Sequence, residues 1–138
     1  MLLKLRYRKG IEMVEPWLRG TRIEVDAVRR GVIHALELAA EDVAKWCEGL
    51  SDEEMEGGAS REASLMEFAE GVEVAVDRVL AISPGSYDEV RGVGRKMLPT
   101  SVGGLLVHCA DHTQRHVGQL VTTVKVAAGM AIRAETLD

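Results

Sequence analysis

The sequence predicts an all-α fold, a bundle of three long helices in one domain that spans residues 1–138. In three long segments, apolar residues recur every three or four positions, which is the period of an amphipathic helix. Capping residues or glycine and proline breaks lie between these segments. The chain has one Phe, two Tyr and two Trp, so its core must be built from aliphatic side chains, which suits helix packing.

The first helix is predicted to follow an irregular lead-in over residues 1–20. Thr21 and Glu24 form a T-x-x-E capping box at its start, and Gly49 lies at its end. His34 falls opposite the apolar stripe, so it is predicted to be exposed or to lie at an interface. The predicted buried stripe consists of Val28, Val32, Leu36, Ala39, Val43, Trp46 and Leu50.

The second helix is predicted to begin at Ser64, where Ser64 and Glu67 form another capping box, and to end at Pro84. Gly71 lies at the edge of its buried face. A glycine inside a helix costs about 1 kcal/mol relative to alanine, and close approach of another helix is the structural explanation for it. The predicted stripe consists of Leu65, Phe68, Val72, Ala75 and Val79.

Residues 84–99 are broken by glycines and prolines. One short helical turn is expected from Ser86, and the single weak strand signal in the chain lies at residues 2–7. The last helix is predicted to begin after a cap at Thr100 or Ser101 and to stop at Gly129. Its apolar arc is wide enough for burial on two sides, which favours a symmetric homodimer that shares its core. That arc consists of Leu105, Leu106, Val117, Leu120, Val121 and Val124.

Three of the four histidines lie on this last helix, at His108, His112 and His116. Side chains four residues apart share one face of a helix, so two neighbouring imidazoles can bind one metal ion. The alternative is a half-exposed face or a set of hydrogen-bonded core histidines. The spacing by itself leaves both interpretations open.

Composition and charge exclude several classes of function. The net charge is −5, and no run of basic residues is present, so we expect no nucleic-acid partner. No apolar stretch approaches the roughly 20 residues of a membrane span or forms a signal peptide. Cys47 and Cys109 lack CxxC spacing and are expected to be reduced thiols in a cytoplasmic protein. A nucleophilic pair of Cys109 with His108 is disfavoured, because sequence neighbours on a helix point about 100° apart.

A resemblance to a known family rests on the eight residues 112–119, HTQRHVGQ. This segment resembles the HxxxHxGQ motif of the DinB/YfiT-like family, whose members are four-helix bundles, many of them metal-dependent. The resemblance implies a DinB-like up-down helical bundle that often dimerises. In relatives, another helix lies between the segments that match residues 77–78 and 93–96. In this chain only residues 79–92 occupy that interval, so the bundle is expected to be shortened to three helices and completed by dimerisation. Further likeness lies in residues 16–21, 49–54, 77–78, 93–96 and 98–100.

The resemblance also implies a set of ligands. In the family, one histidine on the second helix and two on the last hold a metal ion. The last two match His112 and His116, whereas the first position falls on Gly71, so that ligand is lost. Glu67, one turn before Gly71, and His108 are the candidates for a replacement third ligand. For Glu67, the capping role is the competing interpretation.

Three functions follow from these residues. The first is binding of a divalent ion such as Ni or Zn through the histidine pair, in a DinB-like protein whose activity stays open. The second is a metal-dependent thiol transferase or isomerase with a substituted third ligand, acting on a small thiol or another small molecule, with Gln119 orienting a ligand or the substrate. The third is a non-catalytic dimeric helical protein that has lost the metal site and binds no cofactor.

Overall fold

The structure, a computed structural model, describes residues 14–51 and 60–135, and side chains in the last helix as far as Gly129. The chain is mostly helical, with three long helices, as the apolar periodicity predicts. A short antiparallel hairpin precedes the last helix, which contradicts the expectation of no strand in that stretch. The elements are α1 (Ala27–Cys47), α2 (Arg61–Ala81), β1 (Val90–Val93), β2 (Leu98–Ser101) and α3 (Val102–Glu135).

The hairpin pairs Val90 with Ser101 and Val93 with Leu98. Its turn begins at Gly94, whose φ of +68° is a left-handed conformation that glycine adopts without strain. Each strand has four residues, and neither alternates buried with exposed positions, so the period-two signal of a strand is absent from the sequence. A 3-10 turn at Pro84–Ser86 stands where a helical turn from Ser86 was expected.

The predicted capping boxes at the starts of α1 and α2 are wrong. Asp26 caps α1, accepting hydrogen bonds from the main-chain N–H of Val28 at 3.1 Å and of Arg29 at 3.3 Å. Ser60 caps α2 and accepts from the N–H of Ala63 at 3.1 Å. Each predicted cap is a Ser or Thr within five residues of the true one, and residue type alone does not select between two such positions.

The start of α3 agrees with the sequence, whereas its end does not. The Ser101 hydroxyl accepts a hydrogen bond from the N–H of Gly104 at 3.0 Å, as a cap does. The helix continues through Gly129 to Glu135. The residues after Gly129 are mostly good helix formers, and a glycine ends a helix only where the following chain leaves the helical path.

Helix α1 is the centre of the fold, since it packs against both α2 and α3, whereas α2 and α3 barely touch each other. The buried residues form one cluster near the start of α1 and another near its end, and α2 runs antiparallel to α1 and α3. Val28, predicted to be buried, is 41% exposed, and Val76, outside the predicted stripe, is buried. The first cluster contains Val25, Val32, Ile33, Leu36, Val76, Val79 and Leu106, and the second contains Ala39, Val43, Cys47, Val117 and Val124.

The lead-in folds back along α1 over the residues that the structure describes. Pro16 begins a 3-10 turn that ends at Leu18, and its side chain is buried. This three-residue turn is the one helical piece of the described lead-in, residues 14–20, and residues 1–13 lie outside the described part. His34 is only 6% exposed, because the lead-in covers it and brings the Thr21 hydroxyl to 3.3 Å from its Nε2. This burial contradicts the prediction of an exposed histidine.

A polar network joins the start of α1 to the end of α2 and to the turn before the hairpin. The Tyr87 hydroxyl donates to Asp26 Oδ1 at 2.6 Å, and Arg29 Nε donates to Asp26 Oδ2 at 2.5 Å. Arg29 Nη1 donates to the main-chain oxygens of Leu80 at 2.8 Å and Ile82 at 2.9 Å. These oxygens belong to the end of α2, where the last carbonyl groups have no partner within the helix. Asp26 and Arg29 together therefore link the start of α1, the end of α2 and the turn that carries Tyr87.

The same network makes stability depend on pH. The hydrogen bond from Tyr87, with a further bond from Arg29, holds the pKa of Asp26 well below its usual range. Burial, with the bond to Asp26, raises the pKa of Tyr87. Stability from Asp26 is therefore present above about pH 4 and is lost as the pH falls below it. Stability from Tyr87 is present below about pH 10 and is lost as the pH rises above it.

We expect Tyr87→Phe to lower the melting temperature at pH 7 by a few degrees, on the order of 5 °C, because the carboxylate of Asp26 loses its phenolic donor. The variant should also lose less stability between about pH 5 and pH 2 than the wild type. Thermal melts across this range measure both effects. Asp88→Asn, which removes a neighbouring exposed carboxylate, is the control. Equal acid sensitivity of the wild type and Tyr87→Phe would contradict the role of this bond.

Candidate metal centre

The structure brings His112 and His116 together on the exposed side of α3. Their Nε2 atoms are 3.0 Å apart, and their rings meet edge to face with centroids 4.4 Å apart. One helical turn separates the two residues, so the helix itself sets this approach. Both rings are exposed, and their Nε2 atoms face each other across this short distance.

The distance between these nitrogens suits a shared metal ion. Zinc–nitrogen bonds of about 2.0–2.1 Å at a tetrahedral angle place two ligand nitrogens about 3.3 Å apart, a few tenths of an ångström more than the observed distance. The pair also suits a direct hydrogen bond, if one Nε2 carries a proton and the other accepts it. The donor set therefore fits two coordination positions of a divalent ion.

The described residues do not complete a set of three ligands. His108 is the next histidine along α3, and its ring centroid lies 5.3 Å from that of His112. Among the described side chains, those of residues 14–51 and 60–129, no group of three or more His, Cys, Asp or Glu is arranged to hold one ion. Glu67 and His108 thus form no three-ligand group with the pair in this arrangement, and a third ligand stays a prediction.

An open groove runs between α2 and α3 beside the histidine pair. It consists of two adjoining depressions of about 640 Å³ and 500 Å³, which share Gly71, Ala75 and Cys109 in their walls. Leu36 of α1 lies at its floor. His112 follows Cys109 by three positions and so stands on the next turn of the same side of α3. The pair therefore stands on the turns of α3 that follow the groove wall, and neither histidine lines the groove itself.

Gly71 faces this open space. A Cβ atom at Gly71 would have no other atom within 4 Å, which contradicts the interpretation that another helix approaches closely there. The position that the family resemblance assigns to the first ligand therefore lies on the groove wall opposite α3, with room for a side chain.

The two glutamines of the HTQRHVGQ segment differ in their surroundings. Gln114 Nε2 donates to the main-chain oxygen of Ala35 at 2.6 Å and joins α3 to α1. The sequence reasoning missed this residue, although its place on the half-buried side of the helix is a signal for it. Gln119 is exposed and follows His116 by three positions, which puts it within one turn of the pair, as expected.

A further depression, of about 570 Å³, lies apart from the groove, between the lead-in, α1 and α2. The sequence reasoning missed it as well. Arg19 donates to Glu41 at 2.5 and 2.7 Å, and Arg22 donates to Glu37 at 2.9 Å. The spacing of Glu37 and Glu41 by four residues is the one signal that the sequence carries for it. The contacts show these charges holding the lead-in on α1.

The two cysteines differ in burial. Cys47 is 3% exposed, and burial raises the pKa of its thiol. A thiol in that state is a poor nucleophile, so Cys47 serves packing, as the sequence indicates. Cys109 is half-buried in the groove wall.

No model of a known protein family matches this chain, and neither a curated protein nor a solved structure is significantly similar to it. In the part of the chain that the structure describes, no helix is both long and apolar enough to cross a membrane.

Proposed function

We propose that this chain is a DinB-like helical protein that binds a divalent transition-metal ion, such as Zn or Ni, through His112 and His116. The observation that carries the proposal is the 3.0 Å distance between the two exposed Nε2 atoms. Imidazole nitrogen is a preferred ligand of these ions. The likeness of residues 112–119 to the family motif supports the same pair.

The groove supports a small-molecule role for the site. A bound divalent ion lowers the pKa of a coordinated thiol or water. The neighbouring depressions of about 640 and 500 Å³ are within the size range of small-molecule pockets, and their walls are mainly apolar. Gln119, which is exposed on the turn after His116, is the candidate residue for orienting such a molecule. Transfer or isomerisation of a small thiol compound is the catalytic form of this proposal.

The alternative is a non-catalytic helical protein, and one observation favours it. No third ligand joins the histidine pair among the described residues, and two protein ligands hold a divalent ion less firmly than three. In this form, His112 and His116 share a proton through their 3.0 Å contact, and the groove serves as a contact surface.

Metal titration of the untagged protein decides between the two. We expect the wild type to bind Zn²⁺ or Ni²⁺ in calorimetry, and His112→Ala and His116→Ala each to weaken binding by more than about tenfold, or about 1.4 kcal/mol. Arg115→Ala is the matched control, because Arg115 lies between the two histidines in sequence and pairs with Asp111 on the exposed surface.

Elemental analysis of the purified wild type provides the independent measurement. Absence of metal from the wild type, together with titration curves that the histidine variants leave unchanged, would contradict metal binding and favour the non-catalytic form. His108→Ala and Glu67→Gln test the third-ligand candidates, since only a true ligand should weaken binding when it is replaced.

A further inference from the structure

We infer that two copies of this chain share one metal ion, held on their two-fold axis by His112 and His116 of each copy. This inference rests on the metal-binding part of the proposed function, because it names the source of the missing ligands. A site of four imidazoles is closed, so it corresponds to a structural ion and not to the catalytic form. It assigns the exposed side of α3 as the surface that the second copy covers.

The number of ligands motivates the inference. One chain brings two converging nitrogens to the site, and its described residues supply no third. Closed zinc sites in proteins have four ligands in tetrahedral array. In a two-fold dimer, every group next to the axis occurs twice, so the pair becomes four imidazoles without any further residue.

The surface of α3 around the pair has the spacing of a helix-pairing seam. A stripe of seven residues runs along it with alternating steps of four and three, the 3.5-residue period of two helices that pack along their length. We call this stripe the outer seam. It differs from the inner side of α3, where Leu106, Val117 and Val124 pack in the core. The outer seam consists of Leu105, Cys109, His112, His116, Gln119, Thr123 and Val126.

The outer seam is accessible along most of its length. Leu105 is 37% exposed and Val126 is 53% exposed. Six of the seven seam residues are exposed, and Cys109 is half-buried. None of the seven residues is charged, although α3 carries Asp, Arg and Lys elsewhere on its surface. The open groove between α2 and α3 adjoins this seam, so a second helix has room to lie along it.

The seam matches itself in register when two α3 helices pair in opposite directions. If the two-fold axis crosses α3 at the level of residue 114, His112 of one copy lies opposite His116 of the other. The same axis places Cys109 opposite Gln119 and Leu105 opposite Thr123. Six of the seven seam residues thus pair within the seam, and no charged residue meets another across it. This pairing is the reason for choosing a second copy as the occupant.

Native mass spectrometry with Zn²⁺ tests the inference. We expect one ion per two chains of 15.0 kDa each, and we expect chelation to weaken the dimer in sedimentation velocity. One ion bound to each single chain would overturn the shared site while the proposed function stands. Absence of any bound ion would overturn both.

A matched pair of variants separates the seam from the ligands. Thr123 and Thr122 are both exposed, and each hydroxyl donates to the main-chain oxygen four residues earlier, at 3.0 Å to Gln119 and at 2.9 Å to Gly118. Only Thr123 belongs to the outer seam. We expect Thr123→Lys to weaken both the dimer and zinc binding by more than about tenfold, and Thr122→Lys to change neither.

The two variants add the same charge at adjacent positions of α3, so an effect of added charge on folding or on the helix as a whole appears in both. Thermal melts show whether each variant folds. Equal effects of Thr123→Lys and Thr122→Lys on zinc affinity and on dimer mass would overturn the inference.

Discussion

Ile33→Ala is expected to lower the free energy of unfolding by about 3 kcal/mol. Ile33 lies in the first third of α1, with 0% exposure, and is one of the two largest fully buried side chains that the structure describes. It belongs to the cluster in which residues of α1, α2 and α3 meet. Truncating it removes apolar contacts and leaves a cavity at the point that holds the helices together.

Urea denaturation measures this change, with Val28→Ala as the control. Val28 is on the same helix and is also β-branched, but it is 41% exposed, so its truncation should cost less than about 1 kcal/mol. Similar losses for the two variants would mean that α1 is not the packing centre that the structure shows. A larger loss for Val28→Ala than for Ile33→Ala would mean that Val28 is buried, as the sequence predicts.

Gly71→His is expected to raise the affinity for Zn²⁺ or Ni²⁺ by more than about tenfold, or about 1.4 kcal/mol. The position faces the open groove, and a Cβ atom there has no neighbour within 4 Å, so a side chain can start from this position without a clash at its first atom. It would supply from α2 the third nitrogen that α3 lacks. In the shared-ion dimer, the same change should move the stoichiometry toward one ion per chain.

Gly71→Ala is the control for this experiment. Replacing a glycine inside a helix by alanine should stabilise the protein by up to about 1 kcal/mol, and it adds no ligand. Calorimetric titration of both variants separates the two effects. If Gly71→His binds metal no better than Gly71→Ala, the groove is too wide for a side chain of α2 to reach the histidine pair.

The helices and the histidine pair could be predicted because both depend on neighbours along the chain. The 3.6-residue period locates α1, α2 and α3, and the four-residue spacing places His112 beside His116. The family likeness, the dimer and the metal remain predictions, and the experiments above test them.

The errors of prediction arise where distant parts of the chain meet. His34 is buried because the lead-in, which carries Thr21, folds over it, and no helical period contains that contact. Asp26 is the true cap of α1, and it also binds Tyr87 from a turn 61 residues away. The exposed hairpin lacks an alternating pattern, so its pairing follows from its turn and from the start of α3 rather than from burial.

The sequence by itself therefore determined the three helices and the side of α3 on which two imidazoles meet, because geometry within a helix depends on residue spacing alone. Only the tertiary structure decided that α2 stands apart from α3, so that Gly71 faces an open groove instead of a neighbouring helix. The distance between two helices depends on which side chains each buries against α1. This distance is set by contacts between residues far apart in the sequence, and residue spacing within one helix does not determine it.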